Sequence, residues 1–303
     1  MRGSGYIMTT NTNVSTNATP VKVKKPNFFT KRRDYNIWGL LTLIIGAVIM
    51  VFPFVFAFSG SLVSNGADVY RLQFFKEWNW SNYARVFTEM DFLRYAGNTV
   101  FLAVVEIIGT ILSNTFVGFG FARYNFKGSQ ALFFAALCTM FLPGTVMSVP
   151  HFVMWSELHL VDTYWPLTVG CFFGGAMNIF LMRQCFMGIP GALYEAAMID
   201  GAHPLYIYAR IYMPLARPMI ATLALRTFQG CWNNLFGPLI YITSNEKRTI
   251  SLALANFNNK YETSGEPQLL MAAAIIAMLP TVIIYAFTQK QFIEGMASAA
   301  IKG

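Results

Sequence analysis

The chain has 303 residues, of which 55% are hydrophobic and 12% charged, with a mean hydropathy of +0.46. A soluble domain carries roughly 25% charged residues, so a soluble fold is excluded and a membrane protein is expected. The formal net charge of +8 is mostly local: Arg2, Lys22, Lys24, Lys25, Lys31, Arg32 and Arg33 all precede Asp34. That placement is an orientation signal for a membrane protein, and nothing further supports a nucleic-acid partner.

Taken in order, Met1-Arg2-Gly3-Ser4 reads as an expression-vector remnant within residues 1–7, with Met8 as a native start. The Thr/Asn/Ser-rich stretch 9–19 has almost nothing apolar to bury and is expected to be disordered. Residues 1–36 form a basic cytosolic N-terminus. No cleavable signal is expected, because the first apolar run is too long and no small-residue cleavage site follows it.

No alternating ten-residue pattern of a barrel recurs, so the apolar runs read as helices of about 20 residues. Six spans are expected, at 37–60, 95–122, 131–155, 164–182, 219–241 and 269–287. The chain is therefore an all-α polytopic membrane protein: a transmembrane domain over 37–287, a cytosolic loop over 183–217 and a cytosolic tail over 288–303. On this topology fourteen Lys and Arg fall on the cytosolic side and seven outside, while nine acidic residues lie outside, as the positive-inside rule requires. The external stretch 61–91, with Trp78, Trp80 and Tyr83, has room for short interfacial helices, and its Trp residues suit the headgroup level. Pro143-Gly144, Pro150 and Gly237-Pro238 are expected to kink their spans. Gly118, Gly120 and the pair Gly170 and Gly174 offer small faces for helix packing.

Residues with chemistry are few. Cys138, Cys171, Cys185 and Cys231 have no CxxC pairing, and His151, His159 and His203 are isolated, so core cysteines and no metal site are expected. No phosphate-cradling loop and no nucleophile elbow occurs, which argues against an enzyme. Glu106 and Arg226 lie inside spans, where an ionisable residue is a functional candidate by default. At a 1.5 Å rise per residue they sit roughly 24 Å and 12 Å from their cytosolic span ends. A water-filled path, a partner subunit or an ion pair between them each accounts for such a placement. Gln229, Trp232, Asn233 and Asn234 gather late in the fifth span. They suit either sugar holding, by stacking and amide hydrogen bonds, or bonding between helices.

The stretch that organises the chain is Glu195-Ala196-Ala197-Met198-Ile199-Asp200-Gly201-Ala202, followed by Ile211-Tyr212-Met213-Pro214. Pro190-Gly191 before it suits a helix start, Glu195 suits the positive helix end, and Gly201 interrupts. The expected shape is a short helix, a turn at Gly201, and a second helix stopped near Pro214. A surface hairpin of no special function has the same shape.

The intervals Glu195-Ala196-Ala197, Gly201, Ile211 and Pro214 resemble the signature of permease subunits of bacterial ABC importers, with Met213 where the family has Leu, a volume-conserving exchange. The resemblance covers about 37–303. Ile189-Pro190, Trp232-Asn233, Pro238-Leu239 and the terminal Ile301-Lys302-Gly303 resemble the carbohydrate-uptake branch, in particular the maltose-type second permease. It extends to the corresponding subunit of alginate importers, although the external charge count does not favour an acidic polysaccharide.

What the resemblance implies is the type I importer permease fold and a division of labour. Glu195, Ala196, Ala197, Asp200, Gly201, Ile211 and Pro214 would couple to an ATP-binding subunit. The tail Ile301, Lys302 and Gly303 would touch the ATPase pair, and Glu106, Arg226, Gln229, Trp232, Asn233 and Asn234 would line the translocation path. The chain itself would bind no cofactor; ATP and Mg would sit on two partner ATPase subunits. Its other partners would be a second permease subunit, a periplasmic solute-binding protein, a carbohydrate and membrane lipid. Two alternatives stand beside it: an ABC permease for a non-sugar solute, and an ion-coupled secondary transporter, for which inverted repeats and several mid-membrane acids would be expected.

Overall fold

The structure, a computed structural model, describes residues 37–69 and 74–300, without the side chains of 261–264 and 290–300. The expected features of the N-terminal 36 residues and of Ile301, Lys302 and Gly303 lie outside the described residues. Among the described residues the regular structure is all helix, in the order α1 (Ile37–Ser61), α2 (Gly66–Val69), α3 (Ser81–Glu89), α4 (Phe92–Arg123), α5 (Ser129–Cys138), α6 (Gly144–Glu157), α7 (Trp165–Thr168), α8 (Ala176–Met187), α9 (Gly191–Ile199), α10 (Pro204–Ile207), α11 (Met213–Leu215), α12 (Arg217–Trp232), α13 (Phe236–Tyr241), α14 (Ile250–Ser264) and α15 (Pro267–Ala300).

The chain divides after Ile49 into two compact units. The described part of the first is the opening half of α1, whose Trp38, Leu43, Ile45 and Val48 are all exposed. In the second unit, α4 packs on α8 and α12, and α12 on α15.

α4 explains why such a bundle is stable in lipid. Leu93, Val100, Val104, Ile108, Leu112 and Phe116 recur at helical spacing on its exposed side. The opposite stripe, with Thr99, Ala103, Thr110, Asn114, Thr115 and Gly118, is buried. Large apolar side chains face outward and small or polar ones face the neighbouring helices, where packing and hydrogen bonds drive association. At Gly118 an added Cβ would lie 2.8 Å from Met182 Cβ and 3.1 Å from the Arg183 nitrogen, so α4 and α8 approach closely there.

Among the described residues four helical segments are long and apolar enough to cross a membrane: Ile37–Ser61, Phe92–Arg123, Trp165–Met187 and Pro267–Gln289. The pair Ser129–Phe141 and Gly144–Glu157 makes a fifth span if counted as one, bent by 95° at the expected Pro143-Gly144. The expected span 219–241 divides into α12 and α13, because Asn234 Oδ1 accepts the Gly237 N–H at 3.1 Å and starts a new helix. Pro150 lies inside α6 without ending it. Of the other small-face glycines, an added Cβ at Gly120 or Gly170 would meet nothing within 4 Å, and Gly174 has φ +83 and sits in a turn, where an added Cβ would lie 3.1 Å from Ile179 Cδ1.

The expected interfacial helices of 61–91 are α2 and α3. Trp78 and Trp80 remain exposed beside them, 6.3 Å apart, and Asn82 Nδ2 ties α3 to α1 through the carbonyls of Ser61 and Val63, each at 2.8 Å.

Candidate functional site

The segment between α8 and α12 is folded, with an inner and an outer face. Pro190 occupies the cap position of α9 in an extended conformation. At the other end, Gly201 takes φ +80; its N–H bonds the Met198 carbonyl at 3.1 Å and the Ala202 N–H that of Ala197 at 2.9 Å. This is a Schellman ending, and a left-handed residue is what it needs. His203 Nδ1 then accepts the Leu205 N–H at 3.3 Å, with Pro204 in the first helical position. Tyr208–Tyr212 is a π-helical turn, which follows from Pro214: without an N–H it leaves the Arg210 carbonyl no helical partner, and the turn widens. Helix continues through Pro214 to Leu215, one residue past the expected stop.

The inner face carries Tyr194, Ala197, Ala202, Ile207, Tyr208, Ile211 and Tyr212, packed against Phe119 of α4 and Met182 and Phe186 of α8. Phe119 is the hub: its ring centroid lies 5.0 Å from Tyr212, 5.3 Å from Tyr208, 6.0 Å from Phe186 and 6.3 Å from Tyr194. Arg123, at the end of α4, donates from Nη2 to the carbonyls of Phe186 and Ile189, and its guanidinium lies 4.8 Å from the Tyr212 ring centroid.

The outer face carries Glu195, Ala196, Met198, Asp200 and Gly201, all exposed. Ile199 is 86% exposed and Leu205 and Tyr206 more than half. Neither Glu195 nor Asp200 has an ion-pair partner among the described residues. Of the seven motif positions, Ala197 and Ile211 face inward and serve the fold, while Glu195, Ala196, Asp200, Gly201 and Pro214 are presented outward. A charged and apolar surface held rigidly from behind suits docking of another protein.

The candidate path residues do not form one lining. Trp232 is 3% exposed; its indole N–H donates to the Ala277 carbonyl at 3.0 Å and its ring stacks on Phe228 at 5.5 Å. Asn233 Nδ2 bonds the Gln229 carbonyl at 2.9 Å, and Asn234 Oδ1 accepts the Gly237 N–H in the first turn of α13. In this arrangement Trp232 and the two amides serve contacts within and between helices. Glu106 meets the Cys231 side chain and lies near Cys171. Arg226 is exposed on α12, and no ion pair joins it to Glu106 among the described residues.

At the opposite end from α9, Asp162 forms a clasp that charge counting on the sequence missed. Its Oδ1 accepts the N–H groups of Thr243 and Ser244, each at 2.9 Å, and its Oδ2 accepts the Ser244 hydroxyl and Lys247 Nζ. Burial pushes the carboxyl up, but these donors outweigh it and hold Asp162 well below the usual carboxylate range. Asn98 Nδ2 of α4 reaches the Glu246 and Arg248 carbonyls at 2.7 and 3.0 Å, and Thr99 Oγ1 accepts the Ile250 N–H at 2.9 Å. Beside this loop a cleft of about 380 Å³ is lined by Glu89, Tyr95, Asn245, Arg248 and Lys260 among others.

Comparison with known proteins agrees with this architecture. The chain is 30% identical over 223 residues to the arabinooligosaccharides transport system permease protein AraQ of Halalkalibacterium halodurans, covering 73% of this chain and 79% of the relative. It is 28% identical over 278 residues to the maltodextrin transport system permease protein MdxG of Bacillus subtilis, covering 91% and 100%. A chain in the crystal structure of a bacterial ABC transporter involved in the import of the acidic polysaccharide alginate superposes with a TM-score of 0.75 at 26% identity, covering 88% of this chain and 100% of that one. Residues 114–297, which include the Glu195 segment, match a family model described as the inner membrane component of binding-protein-dependent transport systems, and the chain belongs to that family: it is a multi-pass, non-catalytic permease of an ABC importer.

Proposed function

We propose that the chain is one of two permease subunits of an ATP-driven importer that takes up an oligo- or polysaccharide delivered by a periplasmic binding protein. The observation that carries the proposal is the outer face of α9 and the Gly201 turn: Ile199 exposed, and Glu195 and Asp200 exposed with no ion-pair partner among the described residues, on a segment fixed from behind by Phe119 and Arg123. This face docks on one of two ATP-binding subunits, which hold ATP and Mg, while this chain holds no cofactor. The α9 segment is cytosolic, and so are the N- and C-terminal residues, as the excess of basic residues assigned to that side of the membrane supports. The end bearing α3, α14 and the Asp162 clasp meets the binding protein. ATP closure moves the docking face, and the spans alternate between inward and outward openings, a two-state change biased by bound ligand. A saccharide cargo is supported by the relatives named for arabinooligosaccharides and maltodextrin.

The test is copurification of the ATP-binding subunits with the intact chain and with Glu195→Arg and Gly201→Asp, followed by ATPase stimulation by the binding protein with a panel of neutral and acidic oligosaccharides. Both variants should fold: an added Cβ at Gly201 meets nothing within 4 Å, and the left-handed backbone costs a non-glycine residue about 1 kcal/mol. Each should lose the ATPase or its stimulation. Normal ATP-driven uptake in both would reduce the segment to a surface hairpin, and stimulation by a non-sugar solute alone would replace the cargo.

A further inference from the structure

α4 and α8 are joined by two arginines that cross in opposite directions. Arg123 at the end of α4 donates to the Phe186 and Ile189 carbonyls at the end of α8. Arg183 of α8 donates back from Nε to the Phe121 carbonyl of α4 at 3.2 Å. Each guanidinium also lies over an aromatic ring: Arg123 over Tyr212, and Arg183 over Phe133 at 4.4 Å. Carbonyls near a helix C-terminus lack intrahelical partners and attract cations: Arg183 meets such a carbonyl at Phe121, and Arg123 reaches that of Ile189 and adds to that of Phe186, which also accepts the Ile189 N–H at 3.2 Å. Gly118 brings the two backbones close enough for this exchange. Between the crossed arginines and the Phe119 rings, α4 is held both to the entrance of the docking segment at 186–190 and to its exit at Tyr212.

The far end of α4 is fixed as firmly. Asn98 and Thr99 bind the backbone of 246–250, and the same loop is held by Asp162 through Ser244 and Lys247. A 32-residue helix is about 48 Å long, so α4 connects the docking segment to the external loop in one rigid element.

We propose that Arg123 and Arg183 are positioning residues through which α4 takes up the movement of the docking segment and carries it to the 242–250 loop. The proposal rests on the docking reading above. A fork-shaped guanidinium suits the task, because it holds two carbonyls in fixed directions while its face packs on a ring, which an ammonium cannot do. The movement is then a rigid-body one, and its physical warrant is coupling between the two ends rather than their mere connection.

The experiment uses the assembled complex, with ATP and vanadate as the trapping probe and amide hydrogen exchange of 242–250 as the readout. In the parent complex, trapping should change exchange of these amides. In the double variant Arg123→Gln with Arg183→Gln, the ATP-binding subunits should still copurify while that change falls about tenfold, within the usual span of coupling factors. If the double variant does not accumulate, Arg123→Lys, which keeps the charge and loses the fork, should lower the change several-fold. An undiminished change in a variant that keeps its ATPase overturns the proposal, as does the absence of any change at 242–250 in the parent. Loss of the ATPase from the variant alone also overturns it, since the arginines would then serve docking. Failure of the ATPase to copurify with the parent sinks the docking reading itself.

Discussion

Gly118→Ala is the substitution for which geometry and helix propensity give opposite signs. Alanine is favoured over glycine in a helix by about 1 kcal/mol. At Gly118, however, the new methyl carbon would stand 2.8 Å from Met182 Cβ and 3.1 Å from the Arg183 backbone nitrogen. Neither neighbour is the far end of a flexible side chain, so α4 and α8 must separate, and overpacking of this kind costs about 1–3 kcal/mol. The net effect is a loss of up to about 2 kcal/mol. Gly120→Ala on the same helix supplies the control, because its Cβ meets nothing within 4 Å and only the propensity gain of about 1 kcal/mol remains. The two variants should therefore differ by about 1–3 kcal/mol, or several degrees in apparent melting temperature at about 2–4 °C per kcal/mol. Thermal unfolding of the purified permease in detergent, followed by size exclusion, measures the difference. If Gly118→Ala melts at or above Gly120→Ala, the close approach of α4 and α8 is wrong, and the crossed arginines lose the geometry that supports them.

Asp162→Asn keeps an acceptor for the Thr243 and Ser244 amides but loses the charge facing Lys247, so it should cost about 1–2 kcal/mol at neutral pH and raise hydrogen exchange at 243–247. Because the folded carboxyl lies below its ordinary value of about 3.9, its contribution is complete above that pH and is lost only as pH falls toward the folded value. Parental stability should thus be flat from pH 5 to 8 with respect to this group, and a parent-variant gap that opens only above pH 6 would refute the assignment. Trp232→Phe should lower stability by about 1 kcal/mol, because the buried indole N–H bond to the Ala277 carbonyl is lost, with an unchanged KM for the transported sugar; a raised KM at unchanged stability would restore Trp232 to the translocation path. Glu106→Gln and Arg226→Gln should each lower uptake at unchanged expression, and unchanged rates would remove both residues from that path.

Four of the six expected spans, at 37–60, 95–122, 164–182 and 269–287, fall on segments long and apolar enough to cross a membrane among the described residues, and they were legible because lipid leaves the backbone no partner but itself. At the fifth span a side chain intervened. The fifth span reads as one apolar run, but the Asn234 amide offers the Gly237 N–H a local partner, and such amides compete with the helix ladder. Pro150 was expected to act like Pro143-Gly144 and does not interrupt α6, whereas the chain bends by 95° where glycine follows proline. Gly170 and Gly174 match the spacing of a packing motif, but Gly174 has a positive φ, and a residue in that conformation has left the helix.

The segment from Glu195 to Pro214 was legible in its local shape and not in its two faces. Spacing placed Glu195, Gly201 and Pro214 correctly on a helix, a turn and a second helix, since glycine and proline punctuate locally. It could not separate the outward Glu195, Ala196 and Asp200 from the inward Ala197 and Ile211, because that division is imposed by Phe119 and Arg123, some 70 to 90 residues earlier in the chain. On the sequence Arg123 counted as one more cytosolic charge and Phe119 as one more apolar residue in a span. Their roles come from the chain returning beside them, where the Ile189 carbonyl needs a donor and four aromatic rings gather round Phe119. The exposed signature of such a segment is therefore readable from local chemistry. The support that fixes it from behind lies on α4 and has to be found in three dimensions.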